Sequence, residues 1–175
     1  KQMEELRCAC EILSSEDPLL QVQYIRTLNE LHLRVMGTIQ LEIIEELLKT
    51  RFNLSVTFDT PAIIYKETVS QKCEGFVSYT MPKPCWAVLR FEIEPAPRGS
   101  GVTFSSTVPL SKIMACYQHQ VEQAIPYALN QGRLGWQVTD INIKLVGGEH
   151  HLVHTHPLDF IVATPMGIQD GLRRG

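Results

Sequence analysis

Apolar residues near the amino end first recur at helical spacing and then switch to strict alternation. The helical spacing of Leu6, Ala9, Cys10 and Leu13 predicts an amphipathic helix over residues 2–13. Asp17-Pro18 is typical of a turn. The alternating stretches 21–27 and 31–35, separated by Asn29-Glu30, then predict a β-hairpin.

A second helical pattern covers residues 38–51. Thr38 stands where its side chain can cap the first turn. The predicted apolar face consists of Ile39, Ile43, Leu47 and Leu48. Alternation returns in a third predicted strand at Leu54, Val56 and Phe58. This order of helix, strand, strand, helix and strand is a split βαβ arrangement that lacks its first strand.

The rest of the chain has a different order of elements. Strand-like stretches occur at 63–68, 76–81, 87–94, 102–106 and 138–145. A helix is predicted over 112–130 and is expected to end at Gly132, with these residues facing inward: Ile113, Cys116, Tyr117, Val121, Ala124, Ile125 and Ala128. Gly147-Gly148 is expected to open a loop that runs to His156-Pro157, and Asp159 to begin a last helix.

These patterns predict an α+β chain of two units, residues 1–62 and 63–175. In the second unit the strands run alternately up and down until the helix brings the chain back for strand 138–145. The loops 82–85, 107–111 and 148–156 then gather at one end of the unit. Loops that meet at one end of a rigid scaffold commonly carry function.

Composition narrows the possible partners. The chain has 175 residues and a formal net charge of −3 at pH 7, so its overall field would attract RNA weakly and any RNA contact has to be local and driven by shape. No apolar run approaches the roughly 18 residues of a membrane span. Five scattered cysteines without CxxC spacing favour a reduced, cytoplasmic protein.

Motifs for nucleotide hydrolysis, dinucleotide binding and serine or zinc hydrolysis do not occur in the sequence. The histidines at 150, 151, 154 and 156 leave three interpretations open: an exposed polar loop, an RNA contact through imidazole stacking, and a zinc site. Trp86 is a candidate both for core packing and for a contact at the gathered loops. Trp136 is expected in the core.

Three motifs resemble one family, in the right order and at the right spacing. Residues 37–43, Gly-Thr-Ile-Gln-Leu-Glu-Ile, resemble a helix of domain III of elongation factor G. Residues 61–67, Pro-Ala-Ile-Ile-Tyr-Lys-Glu, resemble the strand that opens domain IV. Residues 132–136, Gly-Arg-Leu-Gly-Trp, with Val138 and Asp140, are similar to a helix-to-strand turn of domain IV.

Within that superfamily the sequence resembles the tetracycline-resistance ribosomal protection proteins in particular. Residues 81–86, Met-Pro-Lys-Pro-Cys-Trp, and 95–101, Pro-Ala-Pro-Arg-Gly-Ser-Gly, are similar to segments of this group. Gln40 stands where elongation factor G usually has histidine. The third loop departs from the group, because histidines, leucine and valine replace its aromatic and proline residues.

The resemblance implies a truncated ferredoxin-like unit followed by a ribosomal S5 domain 2-like unit. It also implies an excised piece: the first strand of domain III, domain V and the GTPase domain are expected to be missing. The piece itself would then be no enzyme and hold no cofactor, while GTP and magnesium would belong to the missing domain of a parent GTPase. A monomer without membrane contact is expected.

The implied function is ribosome binding, with loops at one end contacting small-subunit ribosomal RNA at the decoding centre and dislodging tetracycline. The expected contact residues are Pro82, Lys83, Pro84, Cys85, Trp86, Thr107, Val108, Pro109, Leu110, Ser111, Glu149, His150, His151, Leu152, Val153, His154, Thr155 and His156. The alternatives are a translocation factor of elongation factor G type, a zinc-binding enzyme that uses the histidine loop, and an interaction module with no RNA partner.

Overall fold

The structure, a computed structural model, describes residues 2–80 and 84–175. The chain divides into two compact units, Lys1–Ile63 and Ile64–Gly175. Both combine helices with antiparallel or mixed sheet, so the predicted α+β class is confirmed. None of the described helices is long and apolar enough to cross a membrane.

The first unit contains α1 (Gln2–Glu16), β1 (Gln21–Ile25), β2 (Glu30–Arg34) and α2 (Thr38–Phe52). The predicted hairpin is confirmed, with Tyr24 opposite Leu31 in an antiparallel ladder. A small core joins these elements through Ala9, Cys10, Leu13, Leu20, Ile44 and Leu48. The predicted helix 2–13 extends one further turn, and Cys8 on it is exposed.

The predicted apolar face of α2 is wrong at its amino-terminal half. Ile39 and Ile43 are exposed, whereas Ile44 and Leu48 are buried. The helix has apolar residues on two neighbouring stripes, and the hairpin and α1 select the one centred on Ile44. Thr38 makes no cap either; Gly37 is the cap residue, and Gln40 accepts the backbone N–H of Met36 at 2.8 Å.

The prediction of a third strand in this unit is also wrong. Leu54, Val56 and Phe58 are half-buried and pack against the core, and the residues between them are exposed. The alternation in the sequence therefore reflects real burial. Among the described residues, however, no strand pairs with this segment, so it forms no ladder.

The second unit contains β3 (Lys66–Glu67), β4 (Cys73–Thr80), β5 (Trp86–Pro95), β6 (Val102–Ser106), α3 (Ala115–Ala128), β7 (Gln137–Val138), β8 (Ile141–His150) and α4 (Asp159–Leu172). β3 pairs with β7, and a four-stranded sheet has the order β4-β5-β8-β6. Alternate residues of β5 and β8 are fully buried under the helices: Ala87, Leu89, Phe91, Ile93, Ile141, Ile143 and Leu145.

Strand direction fixes where the loops lie. β5 is antiparallel to both β4 and β8, and β6 is parallel to β8. The end of β4, the start of β5 and the ends of β6 and β8 therefore lie at the same end of the sheet. We call this end the tip. Its described segments 84–85, 107–114 and 151–158 are the first, second and third tip loops. Residues 81–83 lie outside the described part.

Several predicted boundaries in this unit are wrong. The stretch 63–68 contains only the two-residue β3, and Asp140 with φ 55° separates β7 from β8. β8 then continues through His150, so Gly147-Gly148 lies within a strand and opens no loop. Glycine lets β5 approach closely here, because a Cβ on Gly148 would overlap the carbonyl of Val88.

The remaining corrections concern α3 and the turn after it. α3 begins at Ala115 and ends at Ala128 with Leu129 as its cap, three residues before Gly132. Cys116 on this helix is exposed, contrary to its predicted inward position. Trp136 is 43% exposed instead of belonging to the core, and its ring lies 5.1 Å from that of Tyr65.

Small residues let α4 lie directly on the sheet. Ala163, Gly167 and Gly171 are buried and recur every four residues, so they share one face of the helix. A Cβ on Gly167 would come within 2.8 Å of the Phe91 ring. On the facing strand, a Cβ on Gly75 would overlap the carbonyl oxygen of Gly167 and lie 2.9 Å from the amide nitrogen of Gly171.

Replacing Gly75 by Ala is expected to push α4 away from β4 and to lower the free energy of unfolding by about 1–3 kcal/mol. Urea denaturation followed by circular dichroism measures this. Gly147→Ala is the control in the same sheet, because its Cβ would meet Arg90 Cβ at an ordinary 3.5 Å. Equal stabilities of the two variants would show that the close approach is unimportant.

Asp140 organises the end of the sheet opposite the tip. Its backbone carbonyl accepts the N–H of Ala96 at 2.8 Å, and its carboxylate accepts the N–H of Gly101 at 2.9 Å. Backbone N–H groups of Gly99 and Gly101 stabilise the charged form and hold the pKa of the Asp140 carboxyl below its usual range. The loop between β5 and β6 therefore folds around one carboxylate.

The Asp140→Asn variant removes this charge and keeps an acceptor oxygen. Because the folded-state pKa is below the unfolded value of about 3.9, the charge stabilises the fold fully above that pH. The stabilisation is lost as the pH falls through the folded-state pKa. Unfolding free energies of the two proteins are therefore expected to differ at neutral pH and to converge in acid. A difference that is constant with pH would contradict this role.

Candidate functional site

The structure brings most of the predicted contact residues together at the tip. Pro84 and Cys85 lead into Trp86, the first residue of β5, and residues 107–111 follow β6. Glu149 and His150 are the last residues of β8, and residues 151–156 form most of the third tip loop. Pro82 and Lys83 were predicted in the same set but lie outside the described residues.

The third tip loop is closed by hydrogen bonds around His151. The N–H of His151 donates to Thr155 Oγ1 at 2.8 Å, and the N–H of Thr155 donates to the His151 carbonyl at 3.0 Å. The ring atom His151 Nδ1 accepts the N–H groups of Val153 and His154, both at 3.2 Å. An imidazole thus satisfies donors that a turn would otherwise expose.

Aromatic stacking attaches this loop to the start of β5. The ring of His151 lies 5.4 Å from that of Trp86 and 4.5 Å from that of His154, with the two imidazoles stacked. Thr155 Oγ1 also donates to the Trp86 carbonyl at 2.7 Å. Trp86 therefore serves as a support for the third loop, while Cys85 beside it is buried.

The second tip loop is attached through His150. Both its N–H and its ring Nδ1 donate to the carbonyl of Lys112, at 3.0 and 2.7 Å. The side-chain amide of Gln118 donates to the carbonyls of Val108 and Ile113 at 3.0 and 2.9 Å. Of the predicted residues in this loop, Val108 is buried as an anchor, whereas the others are exposed: Thr107, Pro109, Leu110 and Ser111.

Asp159 joins the tip loops to α4. It is the first residue of that helix and only 7% exposed. Its Oδ2 accepts the N–H of His156 at 2.8 Å and the N–H of Trp86 at 3.0 Å. Asp159 was not predicted from the sequence as a site residue. The sequence feature that could have indicated Asp159 is its position: it is an acidic residue just after the histidine-rich loop and at the start of a helix.

Among the described residues of the tip, the exposed surface carries more apolar than charged side chains. Leu110, Leu152, Val153 and Leu158 are between 63% and 84% exposed. Lys112 and Glu149 are exposed charges of opposite sign in this region. Such a surface fits a partner by shape and by contact with flat or apolar groups, and its charge alone would attract phosphate only weakly.

The histidines do not form a metal-binding cluster in the described part of the chain, where no three His, Cys, Asp or Glu side chains could share an ion. Three of the imidazoles use Nδ1 within the tip. His150 and His151 do so as described above, and His156 Nδ1 donates to the His154 carbonyl at 2.9 Å. These hydrogen bonds show that the three imidazole rings stabilise the conformation of the loops.

In their neutral forms, the two adjacent histidines are expected to hold opposite tautomers. His150 donates from Nδ1, whereas His151 accepts at Nδ1 and carries its hydrogen on Nε2. Long-range nitrogen–proton correlation spectra distinguish the two forms directly. A protonated Nδ1 on neutral His151 would be incompatible with the turn as described. Thr155→Val is expected to loosen that turn and shift the His151 signals, while His32 in the first unit stays unchanged.

Comparisons with known proteins cover the whole chain. The family model "Elongation factor G, domain IV" matches residues 61–175, and the model for domain III of the same factor matches residues 1–60. A solved structure from Thermus thermophilus superposes with a TM-score of 0.62 at 24% identity, over 98% of this chain and 26% of that one. This likeness supports the fold.

Similar curated proteins carry tetracycline resistance in their names. TetM of Staphylococcus aureus is 31% identical over 175 residues, which is 99% of this chain and 27% of that protein. TetP of Clostridium perfringens is 34% identical over 173 residues, or 96% of this chain and 26% of that protein. The chain therefore spans about a quarter of the length of the curated relatives it matches.

Proposed function

Because the chain belongs to the elongation factor G family through its domain III and domain IV regions, we propose that it is the ribosome-contacting part of a tetracycline-resistance ribosomal protection protein. Its proposed partner is small-subunit ribosomal RNA at the decoding centre. The proposed site of action is the cytoplasm, where that partner resides.

One observation carries this proposal: a single end of the second unit presents exposed apolar side chains on loops that are tied to the sheet and to α4. Leu152 and Val153 project from a turn that His151 and Thr155 close. The similarity to proteins named for tetracycline resistance extends across this region, since it covers nearly the whole chain.

The proposed mechanism is binding and steric displacement. An apolar turn held in one conformation loses little entropy on binding, so its contacts translate efficiently into affinity. Imidazole rings such as His154 can stack on an unpaired base, as aromatic side chains do in RNA recognition. The drug and the turn would then compete for the same place. GTP and Mg²⁺ are proposed to act in another domain of the parent protein, where hydrolysis would serve release.

The chain could instead serve a translocation factor, because both matching family models are those of elongation factor G. Both functions would use the same fold and the same tip. They differ in their effect on the cell, which is drug resistance in one case and support of translation in the other. Expression of the gene that encodes this chain raises the minimum inhibitory concentration of tetracycline only under the resistance proposal. Restoration of growth after depletion of the host elongation factor G occurs only under the translocation proposal.

The double variant Leu152→Ala, Val153→Ala is expected to lower tetracycline protection. Both residues are at least 75% exposed, so the fold loses little, while a lost contact energy of about 1.4 kcal/mol would weaken binding about tenfold. The measurement is the minimum inhibitory concentration of tetracycline in cells that express the protein at equal levels.

Leu134→Ala is the matched control. This residue is also apolar and 68% exposed, but it lies in the turn before β7, away from the tip loops. It is expected to leave the inhibitory concentration unchanged. If the two variants had the same effect, or if the unaltered protein gave no protection, the proposed role of the tip in drug displacement would be rejected.

A further inference from the structure

The backbone of Trp86 is held from both sides by one small network. Its N–H donates to Asp159 at 3.0 Å, and its carbonyl accepts a hydrogen bond from Thr155 Oγ1 at 2.7 Å. Asp159 also accepts the N–H of His156 at 2.8 Å, one residue after Thr155. The first residue of β5 and the last part of the third tip loop are thereby fixed to the same helix start.

From this geometry we infer that Asp159 is the positioning residue of the tip: its carboxylate fixes the third tip loop relative to β5 and α4, and thereby sets where Leu152 and Val153 project. This inference rests on the proposed function of the tip. It adds a residue that does not itself touch the partner, since its side chain is buried beneath the loops.

The charge of this side chain is compatible with its burial. A buried carboxylate is costly unless donors surround it, and Asp159 has two backbone N–H groups at hydrogen-bonding distance. It also stands in the first turn of α4, where the helix dipole favours a negative charge. The ring Nδ1 of His156 lies 3.8 Å from the same oxygen.

Loss of the Asp159 carboxylate would change the position of the third tip loop more than it would destabilise the fold. The core beneath α4 is built from separate contacts, those of Phe160, Ala163 and Ile168, which are fully buried. Without Asp159, the N–H groups of Trp86 and His156 lose their acceptor. The loop between His151 and His156 would then be held mainly by the Thr155 bond and by stacking on Trp86.

The same helix offers a matched control at its other end. Asp170 also accepts a backbone N–H from the sheet, that of Phe76 at 3.0 Å, and pairs with Arg174 at 2.9 Å. This bond and this pair hold the pKa of the Asp170 carboxyl below its usual range. Asp170→Ala therefore removes a carboxylate that links α4 to the sheet, but removes it away from the tip loops.

The experiment compares Asp159→Ala, Asp159→Asn and Asp170→Ala in the protein encoded by the gene that carries this chain. Three quantities are measured for each variant: the midpoint of thermal unfolding, amide hydrogen exchange of the tip loops, and tetracycline protection. We expect Asp159→Ala to speed exchange at His156 and Trp86 at least about tenfold, the effect of about 1.4 kcal/mol in local opening. We expect the same variant to give less protection against tetracycline.

Asp159→Asn is expected to recover much of the slow exchange and the protection, because its amide oxygen still accepts N–H groups. Asp170→Ala is expected to lower the unfolding midpoint and to leave the tip loops and the protection unchanged. If both alanine variants reduced protection in proportion to lost stability, with no local change in exchange, the positioning role would be refuted.

The exchange data separate this inference from the proposed function. If the unaltered protein gave no tetracycline protection but Asp159→Ala alone accelerated exchange at the tip, drug displacement would be rejected and the positioning of the loop by Asp159 would stand. If protection were present and exchange at His156 did not respond to Asp159→Ala, the positioning role would be rejected and the proposed function would stand.

Discussion

The antiparallel ladder between β5 and β8 is the constraint on which the rest of the second unit depends. It runs from Ala87 opposite His150 to Pro95 opposite Ile141, with one irregularity between Arg90 and Phe91. Because β4 and β6 flank this pair, its direction decides that the three tip loops share one end. A reversed β8 would carry the third loop to the opposite end of the sheet.

The tip that results is suited to recognition by shape. The chain carries a net charge of −3, and the exposed charges near the third loop include both signs. Affinity for the proposed RNA partner would therefore have to come from apolar and stacking contacts at close range, with little long-range steering. Such contacts would require a fixed loop, and the hydrogen bonds that involve His151, Thr155 and Asp159 lie beneath the exposed turn.

The sequence predicted the architecture better than the details. The confirmed parts include the α+β class, the hairpin and the resemblance to elongation factor G and tetracycline-resistance proteins. Periodicity could not decide between Ile43 and Ile44 on α2, since tertiary partners make that choice. Gly148 was misread as a loop signal, because glycine marks a close approach between strands as well as a turn. Asp159 was missed because one of its two partners, Trp86, is 73 residues away in sequence.

Directed hydroxyl-radical probing would show whether the third tip loop lies against small-subunit RNA of the decoding centre. An iron chelate is attached at Leu152→Cys, in a protein that also carries Cys8→Ser and Cys116→Ser to remove the exposed native thiols. The control carries the chelate at Leu134→Cys. We expect cleavage of small-subunit RNA in the decoding region from position 152 and none there from position 134. Absence of cleavage from position 152 on ribosomes that bind the protein would contradict this placement.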